Sequence, residues 1–253
     1  MKRRQILSYA GAGLATTLFA SLSATAQTGD AVSVKWLGHT CFLFSSGKTQ
    51  ILVNPFRTIG CTAKYRAPKV EAGLVLISSQ LLDEGAIDGL PGKPQLIYEP
   101  GVYRFNNIQV QGINTLHDRV NGRRFGNNVV WRWKQGGINI LHLGGVAAPI
   151  TIEQKILMGR PDVLLIPVGG GVKAYNPTEA QAAITALNPK LVIPTHYSTQ
   201  AADSSSCDLV DVEQFLALMQ GTTVRRADSD TVKLSAGSLP PSGMAIQLLS
   251  YKF

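Results

Sequence analysis

Short apolar runs separated by turn residues fill the first half of the chain and predict β-strands. The alternation over residues 32–37, followed by apolar runs at 41–44 and 51–53, predicts an antiparallel meander. Gly136 and Gly137 mark a further hairpin turn between two apolar runs. The remaining predicted strands of this half cover residues 74–77, 96–98, 108–113, 129–133 and 138–141.

The second half alternates between helical and strand patterns. Asn176, Pro177 and Glu179 form a helix start in which Asn caps, Pro takes the first turn and Glu closes a capping box. Strands that alternate with helices after a strand-rich half predict an α/β fold, a four-layer αββα sandwich of two mixed β-sheets flanked by helices. The predicted helices cover 151–158, 177–187 and 212–219, and the predicted strands 163–166, 191–193, 231–234 and 246–249.

The N-terminal 26 residues resemble an export signal. Lys2, Arg3 and Arg4 precede a mildly apolar stretch that ends in Ala24-Thr25-Ala26, a small-x-small cleavage site. The paired arginines indicate a twin-arginine leader and a mature domain of 27–253 in the periplasm or an equivalent compartment. An uncleaved membrane anchor is the alternative, and no later segment is long and apolar enough to span a bilayer.

Composition narrows the possible partners. The chain has 24 Lys and Arg against 16 Asp and Glu, a net charge of +8, of which the leader contributes three positive charges. The mild basic bias that remains fits a small anionic molecule or a wall surface as partner and is only weak evidence for nucleic acid, so we expect no nucleic-acid partner. Three cysteines without a CxxC pair argue against a cysteine zinc cage; Cys41 lies in an apolar strand, and whether Cys61 and Cys207 form a disulfide stays open.

The four histidines of the chain are His39, His117, His142 and His196, and each lies at or just beyond the end of an apolar strand. One such histidine is ordinarily a strand cap or a backbone hydrogen-bond donor. Four of them, with no histidine elsewhere in the chain, indicate a shared cleft at the strand ends.

Five segments carry a resemblance to a known family. VKWLGHTCFLF with ILVNPF, then LVLISSQLLDEG, INTLHD, NILHLGG and VIPTHYST occur in the order typical of the metallo-β-lactamase fold superfamily, in its branch of small Zn-dependent hydrolases. The resemblance covers roughly residues 32–199 and implies the αββα fold. It also implies a two-metal centre whose first ligands lie in the loop after residue 77.

That metal motif is degenerate in this chain. For the first metal, the resemblance assigns Ser79, Leu81 and His117, where the first two are histidines in the family. Leucine offers no lone pair to a metal. For the second metal, Glu84 replaces a histidine and Gly145 the bridging aspartate. The positions assigned to this second metal are Asp83, Glu84, Gly145 and His196, and Asn54 stands where a supporting aspartate is expected.

Two states of this site follow. Either one divalent metal, Zn, Mn or Fe, is held by Asp83, Glu84, His117 and His196, or no metal is bound. Asp83, His117 and His196 are the candidate catalytic residues, with a carboxylate activating water through a histidine. The residues expected to bind an anionic substrate are His39, His142, Arg119, Arg123 and Arg124.

Two functional hypotheses result. The first is an exported, divergent or pseudo-hydrolase that mainly binds a small anionic ligand. The alternative is an active mononuclear metal-dependent hydrolase of an ester, amide or phosphoester bond. The sequence decides neither whether the protein is an enzyme nor its substrate or oligomeric state.

Overall fold

The structure is a computed structural model that describes residues 31–203 and 205–253. The predicted leader over 1–26, its twin-arginine motif and its cleavage site lie outside the described residues. Within the described part of the chain, no helix combines the length and apolar character needed to cross a bilayer.

Fourteen strands and three α-helices make up the described regular structure, together with two short 3-10 helices at Gly60–Thr62 and Ala236–Ser238. The strands are β1 Val32–Gly38, β2 Cys41–Ser46, β3 Thr49–Val53, β4 Leu74–Leu76, β5 Gln95–Ile97, β6 Gly101–Phe105, β7 Ile108–Leu116, β8 Asn127–Gln135, β9 Ile138–His142, β10 Val163–Pro167, β11 Leu191–Thr195, β12 Thr223–Arg226, β13 Thr231–Leu234 and β14 Ala245–Leu248. The helices are α1 Ile152–Met158, α2 Pro177–Leu187 and α3 Val212–Leu218.

The strands form two mixed sheets. The first has six strands in the order β13-β1-β2-β3-β4-β5, and the second has eight in the order β12-β14-β11-β10-β9-β8-β7-β6. In each sheet an antiparallel part built from hairpins continues into a parallel part, as between β2-β3 and β3-β4. Together with the flanking helices, this arrangement confirms the predicted α/β class with two mixed sheets.

Two apolar clusters hold the layers together. The larger cluster lies between the sheets and includes Phe42 and Leu52 of the first sheet with Trp131 and Leu165 of the second. The smaller cluster covers the outer face of the second sheet, where residues of α1, α2 and α3 contact β-strand side chains such as Leu164. Because both faces of the central parallel strands are buried, β10 and β11 read as continuous apolar runs.

Local signals predicted most boundaries, and α2 is the clearest case. Asn176 accepts a hydrogen bond from the backbone N–H of Glu179, and the Glu179 carboxylate accepts one from the backbone N–H of Asn176, which is the predicted capping box. Two strands, β6 and β12, were not predicted. Both lie at an edge of the second sheet with largely exposed side chains, so neither carries a buried apolar run.

Cys61 and Cys207 form a disulfide, which settles the pairing that the sequence left open; Cys41 is buried and free. The bridge joins the loop after β3 to the loop after β11, across a sequence separation of 146 residues. Both loops begin at the candidate site described below. The disulfide therefore restrains two of its neighbouring segments.

Reduction of this disulfide is expected to lower the free energy of unfolding by about 2–4 kcal/mol, because the bridge restricts a long loop in the unfolded chain. Guanidinium titrations with and without a reductant measure the difference. A double variant, Cys61→Ser with Cys207→Ser, is the control and should unfold at one midpoint in both conditions. Equal midpoints for the oxidised and reduced wild type would contradict the prediction.

Candidate metal centre

Three strand ends meet at one edge of the two sheets, and the residue that follows each has an unusual backbone. His39 follows β1, Asn54 follows β3 and His196 follows β11, with φ angles of 54°, 52° and 51°. Non-glycine residues enter this left-handed region at a cost of roughly 1–2 kcal/mol each. Such strain is retained where the surrounding structure holds a functional site in place.

His39, Glu84 and His196 offer three ligand atoms that lie within 4.8 Å of one another. The atoms His39 Nε2, Glu84 Oε1 and His196 Nδ1 are buried, and none has a hydrogen-bond partner among the described residues. Buried polar atoms without partners are rare, and three that converge are the donor arrangement of a metal-binding site. We call these three residues the ligand cluster.

The electrostatics of the ligand cluster suit a cation. Burial lowers the pKa of His39, although Asp83 and Glu84 act in the opposite direction. Burial, reinforced by the positive charge of neighbouring groups, also holds the pKa of His196 well below its usual range. Both imidazoles are therefore neutral near pH 7 and keep a lone pair, as metal ligation requires. Two nitrogens and one carboxylate oxygen fit Zn, Mn or Fe and leave a coordination position free.

His117 lies beside the ligand cluster and is bonded to Glu84. Its Nε2 is 3.0 Å from Glu84 Oε2, and both side chains are fully buried. Its Nδ1 donates to the backbone carbonyl of Lys173 at 3.0 Å. Burial lowers the pKa of His117, but attraction to Glu84 outweighs it and the pKa is raised. Glu84 thus uses one oxygen for His117 and turns the other toward the cluster.

Asp83 pairs with a residue that sequence reasoning did not identify, Lys173. The Lys173 ammonium donates to Asp83 Oδ2, which also lies 3.9 Å from Nε2 of His39. Burial disfavours the carboxylate, yet the charge of Lys173 and its hydrogen bond prevail and the pKa of Asp83 is lowered. Asp83 is therefore ionised, and it lies at the rim of the cluster with 17% of its side chain exposed.

Gly145 approaches the cluster so closely that a side chain there has no room. A Cβ atom on Gly145 would lie 2.5 Å from Cε1 of His117 and 2.6 Å from Oε1 of Glu84. Asn128 holds this glycine in place, because its Oδ1 accepts the Gly145 N–H while its Nδ2 donates to Thr115 and to the carbonyl of Leu143. The Glu84 carboxylate thus fills the space into which a side chain at position 145 would point.

His142 is fully buried and bonded to backbone through both ring nitrogens. Nε2 lies 3.0 Å from the carbonyl of Thr40, and Nδ1 accepts from the N–H of Gly144. It links the turn between β1 and β2 to the end of β9. Substrate binding by His142 stays a prediction, and contact with a substrate would require one of these two bonds to break.

The bonding of His142 predicts a neutral imidazole protonated on Nε2, since a carbonyl only accepts. Burial lowers the pKa of His142 to about 4. Because the unfolded chain protonates near pH 6.5, this histidine should remove stability as the pH falls from about 6.5 toward 4. Imidazole ¹⁵N spectra recorded between pH 7 and about 5 should show this tautomer throughout. Protonation of His142 near pH 6.5 would contradict the assignment.

The arginines of the loop after β7 are engaged within the protein. Arg119 binds both carboxylate oxygens of Glu179 and the carbonyls of Gly171 and Ala174. The Nε of Arg123 donates to the carbonyl of Val120, and the guanidinium of Arg124 lies 4.9 Å from the centre of the Phe125 ring. Their predicted role in substrate binding stays untested, and Arg119 in this geometry braces the loop that carries Lys173.

Asp118, unnoticed in the sequence, shapes that arginine loop. Its carboxylate accepts hydrogen bonds from four backbone N–H groups, those of Val120, Gly122, Arg124 and Phe125. These bonds outweigh desolvation and lower the pKa of Asp118 to about 2. Asp118 is accordingly ionised near neutral pH, and the loop that it organises places the Phe125 ring against His117.

The structure brings together part of the predicted ligand set. Glu84 and His196 belong to the ligand cluster, while Asp83 and His117 lie beside it as ion-pair partners. His39, which the sequence assigned to substrate, is the third member of the cluster. Sequence reasoning did not identify Lys173 as the partner of Asp83 or Asn128 as the residue that holds Gly145. For Lys173, the triple glycine that precedes it was the available signal, because it indicates a close backbone approach.

Comparison with known proteins gives one family and several relatives. The profile of the beta-lactamase superfamily domain matches residues 33–196. A UPF0173 metal-dependent hydrolase of Thermoplasma acidophilum is 26% identical over 216 residues, which are 74% of this chain and 90% of that protein. One from Thermococcus kodakarensis is 28% identical over 194 residues, 66% of this chain and 85% of that protein.

Solved structures agree with this result. A crystal structure from Thermotoga maritima, assigned to the Zn-dependent hydrolases of the metallo-β-lactamase superfamily, has a TM-score of 0.68 and 28% identity, covering 86% of this chain and 98% of that one. An isothiocyanate hydrolase from Delia radicum gut bacteria has a TM-score of 0.60 at 10% identity, covering 81% and 99%, and is similar in fold alone.

Proposed function

The chain belongs to the metallo-β-lactamase superfamily, and we propose that it is a hydrolase that works with one divalent metal ion held by His39, Glu84 and His196. The observation that carries the proposal is the convergence of three buried, unpartnered ligand atoms within 4.8 Å. The names of the relatives, which are metal-dependent hydrolases, support it further. The bond cleaved is an ester, amide or phosphoester.

The residues around the cluster have distinct tasks in such a reaction. A bound divalent ion would supply a Lewis acid to polarise the scissile group and would make water more nucleophilic at neutral pH. Glu84 would hold the ion with one oxygen, and its other oxygen is bonded to His117, which fixes the carboxylate in one orientation. Asp83 is ionised, partly exposed and close to His39, so it is the candidate general base for a water beside the cluster.

One observation favours a second function, that of a binding protein without catalysis. Lys173 pairs with Asp83, and His117 pairs with Glu84, so both carboxylates have a basic partner within the protein. Paired in this way, two carboxylates can be buried in the folded protein at moderate cost. This candidate is the pseudo-hydrolase of the first hypothesis, and it differs from the enzyme in requiring no ion.

Metal analysis separates the two. Protein purified without chelator should contain close to one equivalent of Zn, Mn or Fe, and His196→Ala or His39→Ala should contain none. A chelator should lower the melting temperature of the wild type only. Aryl esters and p-nitrophenyl phosphates, tested with and without the metal, then report hydrolysis. Metal-free wild-type protein with an unchanged melting temperature in chelator would favour the binding protein.

We also propose that the protein is exported to an oxidising compartment. The disulfide between Cys61 and Cys207 supports this, because such bonds persist outside the cytoplasm and are rare within it. Cell fractionation of the full chain is the test, with a variant carrying Lys at Arg3 and Arg4 as the control for the twin-arginine route. Cytoplasmic accumulation of the oxidised wild type would contradict export.

A further inference from the structure

Lys173 is the basic side chain that stands beside the ligand cluster. Its charge acts on His39, Asp83, His117 and His196. The arginines of the neighbouring loop have other partners, as described above for Arg119. A lysine ammonium has three N–H donors, and among the described residues only Asp83 is bonded to this one. With 22% of its side chain exposed, Lys173 keeps donors available to a molecule that enters the site.

The backbone around Lys173 is held firmly on both sides. The N–H of Gly169 donates to the carbonyl of His196, and a Cβ on Gly169 would clash with that carbonyl. On the other side, Arg119 donates to the carbonyls of Gly171 and Ala174. The Lys173 carbonyl itself accepts from His117. A cation placed at a site by so many backbone contacts is positioned in advance, which is what recognition of a charged group requires.

The carboxylates of the site are already paired with basic side chains. Lys173 is bonded to Asp83, and His117 is bonded to Glu84. A divalent ion held by the ligand cluster would add positive charge beside these pairs. An oxyanion bound there would offset that charge, with Lys173 as its hydrogen-bond donor.

A cleft next to the site offers a place for the rest of such a molecule. It has a volume of about 400 Å³ and is lined by residues 78–81 of the loop that leads to Asp83 and Glu84, and by Phe125, which contacts His117. Ser79 and Gln80 add polar groups to its wall. The cleft is thus linked to the site through the loop that leads to Asp83 and Glu84 and through Phe125.

We propose that Lys173 is the substrate-binding residue of this site and that the substrate carries an oxyanion, a carboxylate or a phosphate, close to the bond that is cleaved. This inference rests on the proposed function, because it assumes the divalent metal ion held by the ligand cluster. It assigns the substrate class through one side chain that the superfamily resemblance did not assign.

Anion binding tests it. Inorganic phosphate and acetate are titrated calorimetrically into Zn-loaded protein, and metal loading is followed separately through the absorption of Co(II). Lys173→Met should take up one Co(II) like the wild type and bind the better of the two anions at least about tenfold more weakly, since it loses a charge-assisted hydrogen bond. Lys173→Arg should retain most of the affinity. The preference between phosphate and acetate identifies the kind of oxyanion.

The matched control is Lys190→Met. Lys190 also forms an ion pair with an aspartate, Asp162, at 2.9 Å, but its partner is not a residue of the site. The Lys190→Met variant should bind the anion with the affinity of the wild type. Wild-type affinity in Lys173→Met, or no anion binding by loaded wild type, overturns the inference. If the wild type takes up no Co(II), the proposed metal is wrong. If the protein then still binds the anion, and binds it more weakly in Lys173→Met, the inference that the substrate carries an oxyanion is upheld.

Discussion

Glu84→Gln should yield a folded protein that takes up no metal and hydrolyses no substrate. The amide matches the carboxylate in size, and its N–H can donate to Nε2 of a neutral His117, whose Nδ1 keeps its bond to the Lys173 carbonyl. The cluster loses its only charged ligand. We expect metal affinity to fall by more than about 100-fold, beyond the range seen when supporting groups of metal sites are removed.

Calorimetric titration of Zn²⁺ and metal analysis measure this effect, and circular dichroism of metal-free protein shows that the fold persists. Glu179→Gln serves as the control, because Glu179 pairs with Arg119 away from the cluster and its loss should leave metal binding unchanged. Stoichiometric metal in Glu84→Gln at wild-type affinity would remove Glu84 from the ligand set and the proposal with it.

Gly145→Ala is expected to destabilise the protein by about 1–3 kcal/mol or more, the range for overpacking a buried site. The backbone of Gly145 is not in the left-handed region, so the effect comes from the added methyl, which meets His117 and both Glu84 oxygens within 2.8 Å. His117 and Glu84 are fully buried and bonded to each other, which leaves them little freedom to move. Chemical denaturation gives the magnitude.

Gly237→Ala is the control, since no atom lies within 4 Å of a Cβ there. A double-mutant cycle with Glu84→Ala tests the cause. Truncating Glu84 removes two of the three close contacts, so alanine at position 145 should be less harmful in that background, with a coupling of roughly 0.5–3 kcal/mol. Additive effects would show that Glu84 does not occupy the space in question.

The same geometry explains two departures from the superfamily pattern as one change. The resemblance places a histidine at position 84 and an aspartate at position 145, where this chain has Glu84 and Gly145. A carboxylate that reaches in from position 84 fills the space in front of position 145, so the longer acid requires glycine opposite it. The site thus keeps a carboxylate in front of position 145, and this carboxylate comes from the loop after β4 instead of the segment after β9.

The sequence by itself determined the layered fold, because burial imposes periodicities that a chain displays locally. The apolar runs of β10 and β11 and the capping box of Asn176 and Glu179 are such local signals. It also placed every histidine at a strand end. Edge strands such as β12 carry no apolar run, because their side chains are exposed to solvent. They could therefore not be predicted from the sequence.

Only the tertiary structure decided which strand-end groups converge on one point and which form ion pairs with one another. His39 and His196 are 157 positions apart, yet their ring centres lie 4.1 Å apart because the ends of β1 and β11, in different sheets, meet at one edge. The glycines before Lys173 indicate a close backbone approach but not which groups the lysine meets, because its place depends on a loop held by His196 and Arg119. Such contacts depend on distances between remote segments, which packing of the two sheets sets and a residue pattern does not contain.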